Sequence, residues 1–80
     1  MNQYQAFKDT LALAVERKMP TMEGSGLGRD HINAMLVKIS DGVFSEAKLG
    51  RWLGWAQAAV VASGCGTLED MKNINRRWAD

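Results

Sequence analysis

The stretch Ser45–Gly64, SEAKLGRWLGWAQAAVVASG, decides the fold. Wound at 3.6 residues per turn, its larger apolar side chains recur at i, i+3, i+4 and i+7 on one face, which is the spacing of a helix that packs against a core. Ser45 is the predicted N-cap of this helix, and Gly64 is the residue expected to stop it. We therefore expect a helical protein organised around this segment.

The opposite face of the same helix carries small residues where a charged surface is usual. They are Ala47, Gly50, Gly54, Ala58, Val61 and Ala62. Each glycine inside a helix costs about 1 kcal/mol relative to alanine, so a pair of glycines one turn apart indicates that another backbone packs closely on this side. In so short a chain, we expect that backbone to belong to a second copy. The predicted oligomer interface includes Gly50, Gly54 and Ala58.

Three further helices follow from similar patterns. With the central helix, the predicted helices cover about residues 2–19, 30–41, 45–63 and 67–78. Pro20 is expected to end the first helix, and Asp30 is expected to cap the second. Gly42 is expected to end the second helix with a left-handed turn. No segment shows the alternation that is typical of a strand.

Composition narrows the fold class and the location. Hydrophobic residues make up 46% of the 80 residues, charged residues make up 24%, and the net charge is +1, which suits a globular protein without a strong field toward DNA or a membrane. A single cysteine, Cys65, and the absence of a signal peptide predict a reducing cytoplasm. The prediction is one all-α domain over residues 1–80, a compact bundle of three to four helices that assembles as a homo-oligomer.

The segment TMEGSGLGRD, residues 21–30, is the predicted binding loop. Its three glycines allow positive φ angles and N–H groups that turn inward around an anion, and the start of the next helix would add its dipole. The spacing G-x-G-x-G differs from known phosphate loops and no strand precedes it, so a flexible connection is the alternative. The predicted phosphate contacts are Gly24, Ser25, Gly26, Gly28, Arg29 and His31.

A second candidate site lies on the central helix. Lys48, Arg51 and Trp55 are spaced i, i+3, i+7, which puts two cations beside an indole. Such a sector suits a nucleobase together with a phosphate. The alternative for Trp55, and for Trp78 beside its own arginines, is that the ring fills the core or the oligomer interface.

Catalytic and metal-binding constellations are absent from the sequence. The carboxylates fall at helix starts or in loops, and one histidine with one cysteine forms neither a nucleophile–base pair nor a metal site. We therefore predict a binding protein that is not an enzyme and needs no cofactor or metal. Helix-turn-helix DNA binding is disfavoured, because the central helix has glycine and alanine where a recognition helix needs basic residues.

The run FSEAKLGRWLGWAQAAVVASGCGTLEDMKNINRR, residues 44–77, resembles a segment of small accessory proteins encoded by tailed phages and prophages of enteric bacteria. The specific parts are K-L-G-R-W-L-G-W-x-Q, T-L-E-D-M and N-R. The resemblance implies an action on the host bacterium: blocking a host enzyme, altering transcription, or sequestering the nucleotide signals of host defence.

Combined with the basic and aromatic residues, this resemblance leads to one leading hypothesis. The chain is predicted to act in the cytoplasm of the infected host as a counter-defence protein that sequesters a small anionic nucleotide signal without turnover. A cyclic nucleotide or an ADP-ribose-type molecule is the expected ligand. The alternatives are an inhibitor that binds a host protein directly and, less favoured, a DNA-binding regulator.

Overall fold

The computed structural model describes residues 1–80 and contains four helices and no strand. They are α1 (Gln3–Glu16), α2 (Arg29–Asp41), α3 (Glu46–Ala62) and α4 (Leu68–Arg77). α1 lies at the centre and packs against the other three helices, and α2 also packs against α3. The predicted all-α class is confirmed, with a compact four-helix arrangement whose radius of gyration is 11.6 Å. None of the helices has both the length and the apolar character that a membrane crossing requires.

The core is one continuous apolar cluster drawn from all four helices and from Met19 in the loop after α1. Phe7, Met19, Ile32 and Val60 are its largest fully buried side chains. α3 contributes the face that the sequence predicts, including Leu53, Ala56, Ala59 and Val60. α1 contributes the most completely enclosed residues, so the centre of the bundle is α1 and α3 packs beside it.

Inside this core, a polar network joins three of the helices. The Gln57 side-chain amide of α3 donates to Oδ1 of Asn75 in α4 at 2.9 Å and to Oγ1 of Thr10 in α1 at 3.3 Å. Asn75 donates back to Oε1 of Gln57 at 3.2 Å, and Thr10 donates to the carbonyl of Ala6 at 2.8 Å. Because buried polar groups are costly unless paired, this network favours one alignment of α1, α3 and α4.

The ends of α3 and the start of α4 follow their local sequence. Ser45 caps α3 by accepting the N–H of Lys48 at 3.1 Å, and Gly64 ends it with a φ of +82°. Thr67 and Asp70 cap α4 reciprocally, with side chain-to-backbone hydrogen bonds of 2.8 and 3.1 Å. These short-range signals confirm the two predicted ends of the central helix.

The end of α1 is set by Lys18 and not by Pro20, so that prediction is wrong. Lys18 has a φ of 58°, the left-handed region that favours glycine. Its N–H donates to the Val15 carbonyl at 3.1 Å, and the N–H of Met19 donates to the Ala14 carbonyl at 2.9 Å. These two bonds form a Schellman motif, which closes the helix and turns Met19 into the core before proline is reached.

α2 ends at Asp41 as predicted, but the predicted capping is corrected at both of its ends. Gly28 is the N-cap residue and provides no side-chain hydrogen bond, whereas the Asp30 carboxylate turns back to accept the N–H of Met22 at 3.0 Å. Gly42 is extended, with φ −116° and ψ 178°, so it supplies no left-handed turn. A Cβ there would lie 3.1 Å from the Lys38 carbonyl oxygen, so a glycine at position 42 avoids a close contact with the backbone of α2.

The small-residue face of α3 is only partly open. A Cβ on Gly50 would lie 2.7 Å from Oε1 of Gln3 in the same chain, and Nε2 of Gln3 donates to the Glu46 carbonyl at 3.1 Å. The Gln3 side chain of the same chain therefore packs beside Gly50, which is half-buried. Gly54 and Ala58 are exposed, and nothing lies within 4 Å of a Cβ built on Gly54.

Candidate functional site

A groove with a volume of about 460 Å³ lies between α2 and α3, a size typical of small-molecule sites. It is lined by His31, Ala34, Met35, Lys38, Arg51, Trp52 and Trp55. These residues follow from helical spacing, since positions 31, 34, 35 and 38 share one face of α2 and positions 51, 52 and 55 share one side of α3. We call this feature the groove.

The groove has an aromatic end and a cationic end. Trp55 lies beside the loop that precedes α2, because its Nε1 donates to the Gly26 carbonyl at 2.8 Å. Lys38 lies in the last turn of α2, and Arg51 lies one helical turn before Trp55, about 6 Å along α3. A ring held against Trp55 would therefore be separated from Arg51 by about one turn of α3.

The two cations of the groove are unpaired. The ion pairs of the chain join other groups: Arg17 with Asp70, Arg76 with Glu69, Arg77 with Asp9, and the amino terminus with Asp80. No carboxylate lines the groove. Arg51 and Lys38 thus give the groove a local positive potential, although the net charge of the whole chain is close to zero. Sequence reasoning missed Lys38, although its position seven residues after His31 was an available signal.

Trp55 is both accessible and fixed in orientation. Its side chain is 51% exposed, yet the hydrogen bond to Gly26 holds the indole against the loop. Gly26 has a φ of +75°, a conformation that favours glycine. A flat ligand would meet an aromatic surface that loses little freedom on binding.

Two predicted ligand contacts lie outside the groove. Arg29 lines a separate cleft with Leu11 and Val15 of α1, so it faces the other side of α2. The Lys48 ammonium lies 4.5 Å from the centre of the Phe44 ring and 5.4 Å from that of Trp52, where it makes cation–π contacts. The predicted sector of Lys48, Arg51 and Trp55 is therefore divided, and only its last two members line the groove.

Several backbone N–H groups of the loop, residues 21–30, already donate hydrogen bonds within the chain. The N–H of Ser25 donates to the Met22 carbonyl at 3.0 Å, and the N–H of Leu27 donates to Oγ of Ser25 at 3.0 Å. The Met22 N–H donates to Asp30, and this hydrogen bond lowers the pKa of the Asp30 carboxyl. The loop therefore already holds a negative charge of its own and differs from the inward-facing phosphate cradle that the sequence predicts.

The three loop glycines have distinct roles. Gly24 and Gly26 have φ angles of +77° and +75°, and both line a second cavity beside the groove. Gly28 is buried, and a Cβ there would overlap the Met22 nitrogen. Position 28 therefore requires glycine because the Met22 backbone lies too close for a side chain. Positions 24 and 26 favour glycine because of their positive φ angles.

Trp78 and the arginines of α4 are engaged in packing and ion pairs. Asp9 accepts from Nε1 of Trp78 at 2.7 Å and from Arg77 at 2.9 Å. Burial raises the pKa of Asp9, but these hydrogen bonds outweigh it and the net shift is downward. Arg76 pairs with Glu69 at 3.2 Å. Trp78 is therefore a structural ring that anchors α4 on α1.

The residues near the groove offer no cluster for a metal ion. His31 lines the groove without a second ligand, and no three side chains of the types His, Cys, Asp and Glu lie close enough to share an ion. Cys65 is a free, half-buried thiol beyond α3.

No protein-family model, curated protein or solved structure matches this chain.

Proposed function

We propose that this protein binds and sequesters a small nucleotide signal without converting it. The observation that supports this most directly is the groove, where the unpaired cation Arg51 lies about one turn of α3 from the exposed ring of Trp55 and a second unpaired cation, Lys38, lines the wall formed by α2. A nucleotide has the same arrangement, with a flat base separated from a phosphate by one sugar. A counter-defence role in the cytoplasm of an infected bacterium is the context that the phage resemblance suggests.

The proposed orientation differs from the one expected from the sequence. The phosphate would lie between Arg51 and Lys38, where two positive charges have no competing carboxylate, and the base would stack on Trp55. The loop next to Trp55 carries the negative charge of Asp30 and would repel a phosphate. Tight binding without turnover suits a site with ligand-contacting groups and no nucleophile–base pair.

Calorimetric titration with nucleoside monophosphates, cyclic dinucleotides, cyclic trinucleotides and ADP-ribose forms tests this proposal. A ligand present at 100 times its dissociation constant should add about 2.7 kcal/mol to the free energy of unfolding. Arg51→Ala and Lys38→Ala should each weaken binding about tenfold or more, since a hydrogen bond to a charged group contributes about 1.5–3 kcal/mol. Lys72→Ala is the matched control, because it removes an exposed lysine from α4, outside the groove.

The proposal fails if no nucleotide binds, or if a nucleotide binds equally well to the Arg51 and Lys72 variants. Quenching of tryptophan fluorescence gives a second readout. Stacking on Trp55 should quench the wild-type protein, and the quenching should disappear in Trp55→Ala while Trp52 and Trp78 remain.

We also propose that the chain forms a homo-oligomer through the outer face of α3. Gly54 and Ala58 are exposed. Ala58, Val61 and Ala62 line a separate apolar depression of about 450 Å³, together with Leu68, which is 63% exposed. Light scattering tests this directly. Because the space around Gly54 is open, Gly54→Leu should dissociate an oligomer without unfolding the chain, and a monomeric wild-type protein at tens of micromolar would refute the assembly.

Inhibition of a host protein is the second candidate, favoured by the same exposed apolar surface of α3 and α4. It becomes the leading interpretation if the wild-type chain is monomeric and no nucleotide binds. DNA binding is disfavoured further by α4, whose Arg76 and Arg77 are both in ion pairs. A DNA complex would also have to lose affinity steeply with added salt.

A further inference from the structure

A second cavity continues from the groove around the start of α2. It has a volume of about 400 Å³ and is lined by Gly24, Ser25, Gly26, Asp30, His31 and Ala34. His31 and Ala34 line both cavities, so the two are adjoining parts of one surface depression. We call the second cavity the loop cleft.

The polar groups of the loop cleft are of a kind that recognises hydrogen-bond donors. Asp30 is exposed and no side chain donates to it, while its Oδ1 is held by the Met22 N–H at 3.0 Å. A carboxylate accepts hydrogen bonds only, and the lowered pKa of Asp30 keeps this group ionised at neutral pH. Ser25 supplies the opposite chemistry, because its Oγ already accepts the Leu27 N–H at 3.0 Å and its own hydroxyl proton is free to donate.

The position of Trp55 relates this cleft to a base in the groove. The indole N–H is bonded to Gly26, a residue of the cleft, so a ring stacked on Trp55 would have one edge toward the loop. The other end of the same ligand would extend toward Lys38, which lies two turns beyond His31 on α2, about 10 Å along the helix. The loop cleft therefore meets the edge of the base, and the cations meet the phosphate.

We propose that the loop cleft reads the Watson–Crick edge of guanine and makes the groove selective for guanine nucleotides; this rests on the proposed function. Guanine presents adjacent N1–H and N2–H donors, which a carboxylate such as Asp30 accepts together, and an O6 acceptor, which suits the Ser25 hydroxyl. Adenine presents an acceptor at N1, which would face the Asp30 carboxylate. Specificity would thus arise both from matched hydrogen bonds with guanine and from repulsion of adenine.

Calorimetry with two matched probe pairs tests this inference: GMP against AMP, and cyclic di-GMP against cyclic di-AMP. The wild-type protein should prefer the guanine member of at least one pair by about tenfold or more. Asp30→Asn should remove that preference and gain binding of xanthosine monophosphate, because the asparagine oxygen can still accept the Met22 N–H while its amide donates to the xanthine carbonyl. Glu23→Gln, which alters an exposed carboxylate outside the cleft, should keep the wild-type preference.

The outcomes separate this inference from the proposed function. Equal binding of guanine and adenine ligands by the wild-type protein overturns the reading of the base edge and leaves nucleotide sequestration standing. Binding of no nucleotide overturns both. An Asp30→Asn protein that remains folded and keeps a strong guanine preference also overturns the role of Asp30. If that variant fails to fold, the wild-type ratios decide the question alone.

Discussion

Replacing Gln57 by leucine should destabilise the fold by leaving a neighbouring amide without its partner. Gln57 exchanges two hydrogen bonds with Asn75 and donates a third to Thr10. Thr10 keeps its bond to the Ala6 carbonyl, so the unpaired group in the variant is Asn75, which is half-buried. A buried polar group left unpaired costs about 1–3 kcal/mol, and leucine nearly matches glutamine in volume, so we expect a loss of about 2 kcal/mol.

The double variant Gln57→Leu/Asn75→Leu makes this prediction specific. Removing both partners can be nearly neutral, so the double variant should recover most of the stability, with a coupling of about 1 kcal/mol or more. Urea unfolding followed by tryptophan fluorescence measures these differences at one protein concentration. A loss of about 2 kcal/mol should lower Tm by roughly 8–16 °C in a domain of this size. Strictly additive losses, or a single variant as stable as the wild type, would refute the coupled amide pair.

Three further predictions concern the ends of helices and the packing around glycines. Lys18→Gly should raise the free energy of unfolding by about 0.5–1 kcal/mol, because glycine removes the strain of a left-handed lysine and this gain exceeds the entropy cost of a more flexible unfolded chain. Lys18→Ala should leave the free energy of unfolding unchanged. A destabilised glycine variant would contradict the Schellman motif at the end of α1. The hydrogen bond from the Thr67 N–H lowers the pKa of Asp70 from its ordinary 3.8. The stability contributed by ionised Asp70 is therefore present above that value and is lost as pH falls through the lower folded pKa. Urea unfolding at a series of acidic pH values should show this loss, and the Asp70→Asn variant should show a flatter pH dependence. Gly66→Ala would place a methyl 2.8 Å from the buried side chain of Val60 and should lower the free energy of unfolding by about 1–3 kcal/mol. Gly54→Ala places its methyl in open space and should raise the free energy of unfolding of the monomer by about 1 kcal/mol. Thermal melts in which the two variants behave alike would show that the space around these glycines is not as described.

The fold could be predicted where the signal is local. Caps such as Ser45 and the stop at Gly64 depend on residues a few positions apart, and the structure reproduces both. The end of α1 could not be predicted in this way, because lysine is an uncommon residue for a left-handed position and Pro20 offered a simpler stop. Lys18 takes that conformation since it lets Met19 enter the core, which is a tertiary effect that no local pattern contains.

The groove could be predicted only in part. Helical spacing placed Arg51 and Trp55 on one side of α3, and these two residues do line the groove. The same spacing placed Lys48 with them, but the Phe44 ring, which precedes α3, attracts the ammonium away. Lys38 joins the site through the packing of α2 on α3, and Gln3 of α1 packs beside Gly50 on the small-residue face of α3. In each case the deciding contact is between elements, where one-dimensional periodicity carries no information.

The buried amide network leaves α2 in a different position from the other helices. It connects α1, α3 and α4, whereas the side-chain hydrogen bond between α2 and another helix is the exposed one between the hydroxyl groups of Tyr4 and Ser40, at 3.0 Å. α2 is otherwise held by apolar contacts, chiefly those of Ile32, Met35 and Ile39. In native-state hydrogen exchange, the amides of α2 should therefore open at a lower free energy than those of α1. Because α2 forms one wall of the groove, a ligand that bridges the two walls would slow exchange across the whole of α2.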